Sequence, residues 1–141
     1  MESNTPRQLK MLGMLLFLFG LITGFIIMSL KNPRMGLSAH LEGLMNGTFL
    51  LVAGFVWNEL KISDALKRVV YGTLVYGTFA NWIFTLMAAF FGTSQTTPIA
   101  GAGFMGSAMQ ENLVTAGLVT VGLTMVFSAG VMAYGLRGKI S

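Results

Sequence analysis

Long apolar runs occupy most of this 141-residue chain and limit what it can fold into. Three of them, residues 11–30, 69–91 and 113–136, contain no charged residue, and a fourth, residues 37–57, contains Glu42 alone. About 20 apolar residues are enough for an α-helix to cross a bilayer. Backbone groups in lipid must be paired, so runs of this length form helices there. The sequence therefore predicts an all-α integral membrane protein.

The overall composition supports the same class. Charged residues make up 10% of the chain, whereas soluble domains contain about 25%. The absence of cysteine excludes disulfides and thiolate metal sites. The net charge of +4 does not indicate a nucleic-acid partner, because the basic residues lie at the ends of the apolar runs. Membrane lipid is the partner that this composition predicts.

Four membrane spans account for the chain as a single membrane domain, residues 1–141. We predict the spans over about residues 9–30, 37–57, 69–91 and 113–136. The first run is too long for the apolar part of a signal peptide, and no small-residue cleavage pattern follows it, so a span is favoured there. Because the connections are mostly short, the predicted architecture is an antiparallel four-helix bundle.

The basic residues are distributed unequally between the two sides of these spans. Lys31 and Arg34 lie on one side. The other side carries Arg7, Lys10, Lys61, Lys67, Arg68, Arg137 and Lys139. Lys and Arg are enriched in cytoplasmic loops. The sequence therefore predicts the inner (cytoplasmic) membrane, with the N- and C-termini in the cytoplasm.

The longest connection, residues 92–111, is rich in small residues. Its Gly101-Ala-Gly103-Phe-Met-Gly106 segment has the spelling of a dinucleotide fingerprint. That motif requires a preceding strand, and no strand is predicted here, so we interpret the match as accidental. A flexible or partly embedded loop beside the functional site is the expectation.

The second run contains an imidazole, a carboxylate and an amide: His40, Glu42 and Asn46. Polar groups at membrane depth are costly and indicate a functional site. On an ideal helix Glu42 points about 200° away from His40, and Asn46 about 120° away. Glu42 is interpreted as a residue reaching the membrane surface, a proton acceptor, or a partner of Arg34. Asn46 is interpreted as an interhelical hydrogen-bonding residue or a substrate-orienting amide.

His40 is the only histidine in the chain, and three roles remain open for it. It could be a neutral, hydrogen-bonded residue, a proton relay with Glu42, or a metal ligand. One imidazole suffices as an axial haem ligand, whereas a zinc-type site needs several protein ligands. Among metal sites, the sequence therefore favours haem.

Several motifs together resemble the hydroxylaminobenzene mutases and, more distantly, the membrane styrene oxide isomerases. They are Asn32-Pro-Arg34, Leu37-Ser-Ala-His-Leu-Glu-Gly43, Asn46-Gly47 and Tyr76-Gly-Thr-Phe-Ala-Asn-Trp82. The resemblance covers residues 9–137. It implies four membrane helices, a homotrimer, haem b between neighbouring subunits, and conversion of hydroxylaminobenzene, a small aromatic substrate, to 2-aminophenol with ferric iron as the Lewis acid.

The resemblance also implies roles for individual residues. His40 matches the axial haem ligand, and Asn46 matches the active-site amide. Asn81 and Tyr76 are further catalytic candidates, although the isomerases have an acid and a tyrosine in that region. Arg34 is a candidate for binding the haem propionates, because it lies at the same membrane end as His40.

Other functions fit the same residues. A small four-helix proton-coupled exporter would use Glu42 as its intramembrane carboxylate. A styrene oxide isomerase-like epoxide isomerase is another alternative. A haem-binding electron carrier would need one histidine from each of two chains.

Overall fold

A computed structural model describes residues 4–138, and every regular element within that range is helical. Its long helices are α1 (Thr5–Ile26), α2 (Pro33–Val56), α3 (Asp64–Phe91) and α4 (Ala108–Gly135). Single 3-10 turns follow α1 at Ile27–Ser29 and α2 at Trp57–Glu59. All four helices are long and apolar enough to cross a membrane. The prediction of an all-α membrane protein is confirmed.

The second helix begins earlier than the predicted residue 37, because Asn32 caps it. The Asn32 side-chain oxygen accepts hydrogen bonds from the main-chain N–H groups of Arg34 and Met35, at 3.1 and 3.3 Å. Pro33 occupies the first turn, where its missing N–H is not needed. The short segment between α1 and α2 is therefore part of a helix start rather than a free loop.

The third and fourth helices also begin earlier than predicted, each at a serine cap. The Ser63 side chain accepts a hydrogen bond from the Leu66 N–H. Ser107 and Gln110 form a capping box, in which each side chain accepts from the other residue's main-chain N–H. Polar residues that flank the apolar runs consequently form first helical turns, and the last interhelical connection shortens to residues 92–107.

Glycines allow α1 and α2 to pack very closely. A Cβ atom added at Gly43 would lie 2.4 Å from the Cα of Gly20, and one added at Gly47 would lie 2.5 Å from the main-chain nitrogen of Phe17. Small residues that let backbones approach are characteristic of membrane helix pairs. The Gly20-x-x-x-Gly24 and Gly43-x-x-x-Gly47 motifs therefore lie at a real helix interface.

The helices pack in chain order, with α2 and α3 in the centre, α1 against α2, and α4 against α3. The Asn32 N–H donates to the Ala89 carbonyl between α2 and α3, and the Thr73 and Ser128 hydroxyls form a hydrogen bond between α3 and α4. A buried cluster joins all four helices near one end: Leu9, Leu16, Leu50, Ala53, Trp57, Leu60, Val70, Leu74 and Met132.

The connection between α3 and α4 is held against the opposite end. The Glu111 carboxylate accepts hydrogen bonds from the main-chain N–H groups of Ser94, Gln95 and Gly106. The Asn32 amide donates to the Ala100 carbonyl at 2.9 Å. The loop is thus anchored to the starts of α2 and α4, and the expectation of a flexible or partly embedded loop stays a prediction.

The structure places the basic residues of the charge-rich side at one end of the helices. The Lys10 ammonium lies 4.9 Å from the centre of the Phe55 ring. The Lys61 N–H donates to the Gly135 carbonyl, which brings the α2–α3 connection to the end of α4. Lys139, which is also predicted on this side, lies outside the described residues.

Candidate functional site

A polar cluster joins α2 to α3 inside the membrane-spanning region. Its members are Glu42, Asn46 and Asn81, and we call it the Glu42 cluster. The Glu42 Oε2 atom accepts hydrogen bonds from Asn46 Nδ2 at 2.9 Å and from Asn81 Nδ2 at 2.7 Å. The two predicted catalytic amides, Asn46 and Asn81, are therefore brought together. Glu42, for which the sequence left several roles open, links them.

The geometry within α2 explains half of this cluster. Residues four apart are neighbours on a helix, so Glu42 and Asn46 face the same side. Asn46 Nδ2 also donates to the Glu42 main-chain carbonyl, at 2.9 Å. Asn46 is 7% exposed, whereas Glu42 is half-buried. Asn46 thus bonds within its own helix, and Glu42 makes the interhelical contact that was considered for Asn46.

His40 lies on the other side of α2, against α1. Its Nδ1 atom is 2.7 Å from the Gly20 carbonyl oxygen. A carbonyl oxygen can only accept, so Nδ1 donates, and in the neutral ring the lone pair lies on Nε2. Gly24 provides the space for the ring, since a Cβ there would come within 3.0 Å of Nδ1. The histidine is therefore fixed in the tautomer that a metal ligand requires.

An exposed apolar surface of α2 separates His40 from the Glu42 cluster. Helical geometry places His40 at one edge of this surface and Glu42 at the other. Its largest exposed side chains are Leu37, Leu41, Met45, Val52 and Phe55. In a membrane this α2 surface contacts lipid or another protein chain, because water is absent at that depth.

Arg34 and Tyr76 lie apart from the Glu42 cluster within one chain. The Arg34 guanidinium donates to the Ala102 carbonyl and lies 5.9 Å from the Phe104 ring centre, so the connection between α3 and α4 holds it. It is not the partner of Glu42. The Tyr76 hydroxyl lies 2.7 Å from the Thr120 hydroxyl, on the side of α3 that faces α4.

A second polar contact supports the site from α1. The Trp82 indole N–H donates to the Thr23 hydroxyl at 3.0 Å, and the Trp82 ring stacks on Phe19 at 5.4 Å between centres. Trp82 follows Asn81 directly, so this contact fixes the turn of α3 that carries the amide. Sequence reasoning did not single out Thr23, because a lone threonine in an apolar run gives no signal of its own.

The donor atoms available for a metal ion are limited in this chain. Within residues 4–138, no group of three or more His, Asp or Glu side chains comes together. His40 is therefore considered as the single protein ligand of a metal, which would bind at its Nε2 atom.

These features define a polytopic membrane protein with an intramembrane carboxylate–amide cluster and a separately oriented histidine. The family model described as "Styrene oxide isomerase" matches residues 5–137. The chain belongs to the styrene oxide isomerase family.

Two similar proteins come from Ectopseudomonas oleovorans. Hydroxylaminobenzene mutase HabB is 44% identical over 137 residues, which cover 96% of this chain and 84% of that protein. Hydroxylaminobenzene mutase HabA is 40% identical over 104 residues, which cover 73% of this chain and 77% of that protein. No solved structure matches this chain.

Proposed function

We propose that this protein is a membrane-embedded mutase that converts hydroxylaminobenzene to 2-aminophenol. Its similarity along most of its length to two hydroxylaminobenzene mutases supports the reaction class. The observation that carries the proposal is the Glu42 cluster, which places two amides in an otherwise apolar region. A small aromatic hydroxylamine has an apolar ring for that region and a polar group for the amides.

The reaction requires no external oxidant or reductant, because substrate and product are isomers. The N–O bond breaks, a C–O bond forms at the ortho carbon, and the proton lost from that carbon is balanced by one gained at nitrogen. The protein's task is to orient the substrate and stabilise charge that develops during the change. Fixed amide dipoles in a water-poor site suit that task.

We further propose that His40 holds a ferric haem. The fit rests on the Nδ1 contact with Gly20, which leaves Nε2 as the free donor atom. A hydrogen bond at the other ring nitrogen also raises the basicity of a ligating histidine. When bound, ferric iron supplies Lewis acidity toward a substrate oxygen or nitrogen.

The working unit in this proposal is a homotrimer with sites between subunits. Within one chain, His40 faces α1 while the Glu42 cluster lies on the α3 side of α2. The apolar α2 surface between them is free for a neighbouring chain. A subunit interface there would bring His40 of one chain near the amides of the next. The cytoplasmic location of both termini, in the inner membrane, belongs to the same proposal.

The experiment compares the wild type, His40→Ala and Asn46→Ala in lipid nanodiscs, each by absorbance spectrum and product assay. The wild type is expected to show a Soret band and to form 2-aminophenol. His40→Ala should lose both, and Asn46→Ala should keep the band while turnover falls about 100-fold, as for other removed stabilising groups. If His40→Ala keeps the Soret band and full activity, the haem assignment is wrong.

Epoxide isomerisation is the second candidate, and the match to the styrene oxide isomerase family favours it. Styrene oxide supplied to the same three samples tests it directly. Faster conversion of the epoxide than of hydroxylaminobenzene would replace the proposed substrate. Substrate efflux from vesicles that depends on Glu42 but not on His40 would instead support the exporter.

A further inference from the structure

The hydrogen bonds of the Glu42 cluster determine which atoms the two amides can offer to a substrate. Asn46 has two N–H groups, and both are used: one donates to Glu42 Oε2 and one to the Glu42 main-chain carbonyl. Its carbonyl oxygen accepts no hydrogen bond from any residue in the range 4–138. Asn46 therefore offers an acceptor and no donor.

Both acceptors that hold this orientation belong to residue 42: the Glu42 side-chain Oε2 atom and its main-chain carbonyl. Its Oε2 atom accepts from Asn46 and Asn81 together, and an amide meets an accepting oxygen only through its NH2 group. Reversing the Asn46 amide would set two oxygens against each other and lose both of its bonds. Within residues 4–138, the hydrogen bonds of the Glu42 carboxylate are those from the two amides.

We propose that Glu42 is a positioning residue that selects hydrogen-bond-donating substrates by turning the Asn46 carbonyl oxygen toward the substrate. The inference rests on the proposed function and deepens it. An aryl hydroxylamine carries N–H and O–H donors that this oxygen accepts. An epoxide has only an acceptor oxygen and gains nothing from it. Through Asn46, Glu42 thereby favours hydroxylamines over epoxides. Asn81 uses one N–H for Glu42, and its second N–H is available to both kinds of compound alike.

The test uses two inert ligands, aniline and N,N-dimethylaniline, which differ in whether they donate an N–H. Their dissociation constants are measured for the wild type, Glu42→Gln and Glu42→Leu, alongside kcat and KM for hydroxylaminobenzene. Glu59→Leu, at an exposed carboxylate outside the cluster, is the matched control. The change in the ratio of the two dissociation constants between the wild type and a variant reports the hydrogen bond, because ring burial and any binding of nitrogen to iron are common to all samples.

The wild type and the control should prefer aniline. Glu42→Leu should reduce that preference by up to about tenfold, the value of one hydrogen bond, because only the main-chain carbonyl of residue 42 then holds the Asn46 amide. KM for hydroxylaminobenzene should rise accordingly. Glu42→Gln retains an accepting oxygen and should keep most of the preference. If Glu42→Gln is as impaired as Glu42→Leu, charge rather than orientation matters, and the proposal is overturned. An unchanged preference in Glu42→Leu overturns it equally.

Asn46→Leu provides a second route if Glu42→Leu does not assemble. It removes the accepting oxygen itself and should abolish the same preference. Where both variants assemble, their combination should cost no more than either alone, because the residues act as a unit. Failure of the proposed function is distinguished by the wild type, which would then prefer aniline without turning over hydroxylaminobenzene.

Discussion

At the scale of single residues, Gly24 decides whether the His40 ring can keep its position. A Cβ at residue 24 would lie 3.0 Å from His40 Nδ1 and 3.1 Å from Cε1. Gly24→Ala should therefore displace the ring and weaken its 2.7 Å contact with Gly20. Loss of such a supporting contact lowers metal affinity by about 10- to 100-fold. The measurement is the haem content per protein after purification.

The matched control for this prediction is Gly122→Ala. Gly122 is also in a helix, but an added Cβ meets no atom within 4 Å. Its haem content should equal that of the wild type. Equal haem content in the two alanine variants would show that Gly24 does not position His40.

Helical periodicity predicted the directions of residues on α2, but it could not predict their partners. The expected angular separation of His40 and Asn46 is confirmed by their contacts with α1 and Glu42 respectively. The bond from Asn81 to Glu42 joins residues 39 apart in sequence, and no local pattern encodes such a contact. Tyr76 and Asn81 were predicted together as catalytic candidates, although Tyr76 lies about 140° around the helix from Asn81. This angle is consistent with the separate contact of Tyr76 with Thr120.

At the scale of helices, the α1–α2 interface tolerates no side chain at its closest point. A Cβ at Gly43 would lie 2.4 Å from Gly20 Cα and 2.9 Å from its nitrogen, and backbone atoms cannot rotate away. Gly43→Ala should therefore separate the helices at a cost of about 1–3 kcal/mol, as overpacking does. The measurement is the thermal unfolding midpoint in detergent, which should fall.

Gly72→Ala is the control for helix propensity in this experiment. A Cβ at Gly72 meets nothing within 4 Å, so the unfolding midpoint should be unchanged or higher. A midpoint for Gly43→Ala that matches that of Gly72→Ala would contradict close packing between α1 and α2.

The existence of the helices was predictable and their starting residues were not. Long apolar runs form helices because lipid offers no partner to an unpaired backbone group. Their starts depend on caps that lie in polar sequence outside those runs. Ser107 and Gln110 have the spacing of a capping box, so the start of α4 could be predicted from the sequence. The Glu111 contacts that anchor the preceding connection require the folded loop.

At the scale of the whole molecule, the distribution of charge predicts the orientation in the membrane. The basic residues near the starts of α1 and α3 and the end of α4 share one end of the structure, whereas Lys31 and Arg34 lie at the other. A reporter fused to the C-terminus should therefore give a cytoplasmic signal, and one inserted at Thr96 the opposite signal. A cytoplasmic signal from Thr96 would overturn the orientation.

If the site is shared between subunits, two inactive variants should recover activity when they assemble in one oligomer. His40→Ala and Asn46→Ala are each expected to be inactive alone. In a mixed cyclic oligomer, some interfaces combine an intact His40 from one chain with an intact Asn46 from its neighbour. In a mixed trimer one of the three interfaces has both intact residues, so oligomers that contain both variants should recover roughly one third of the wild-type sites.

The measurement is 2-aminophenol formation by mixed oligomers, isolated through a different affinity tag on each variant. A mixture of separately purified variants is the control, since it contains no mixed interfaces unless subunits exchange. The His40 and Asn46 side chains lie on opposite sides of the exposed α2 surface. The two side chains of one chain therefore do not face the same site. Activity restored only in the mixed oligomers supports a shared site. Complete inactivity in oligomers that demonstrably contain both variants would mean that each site belongs to one chain.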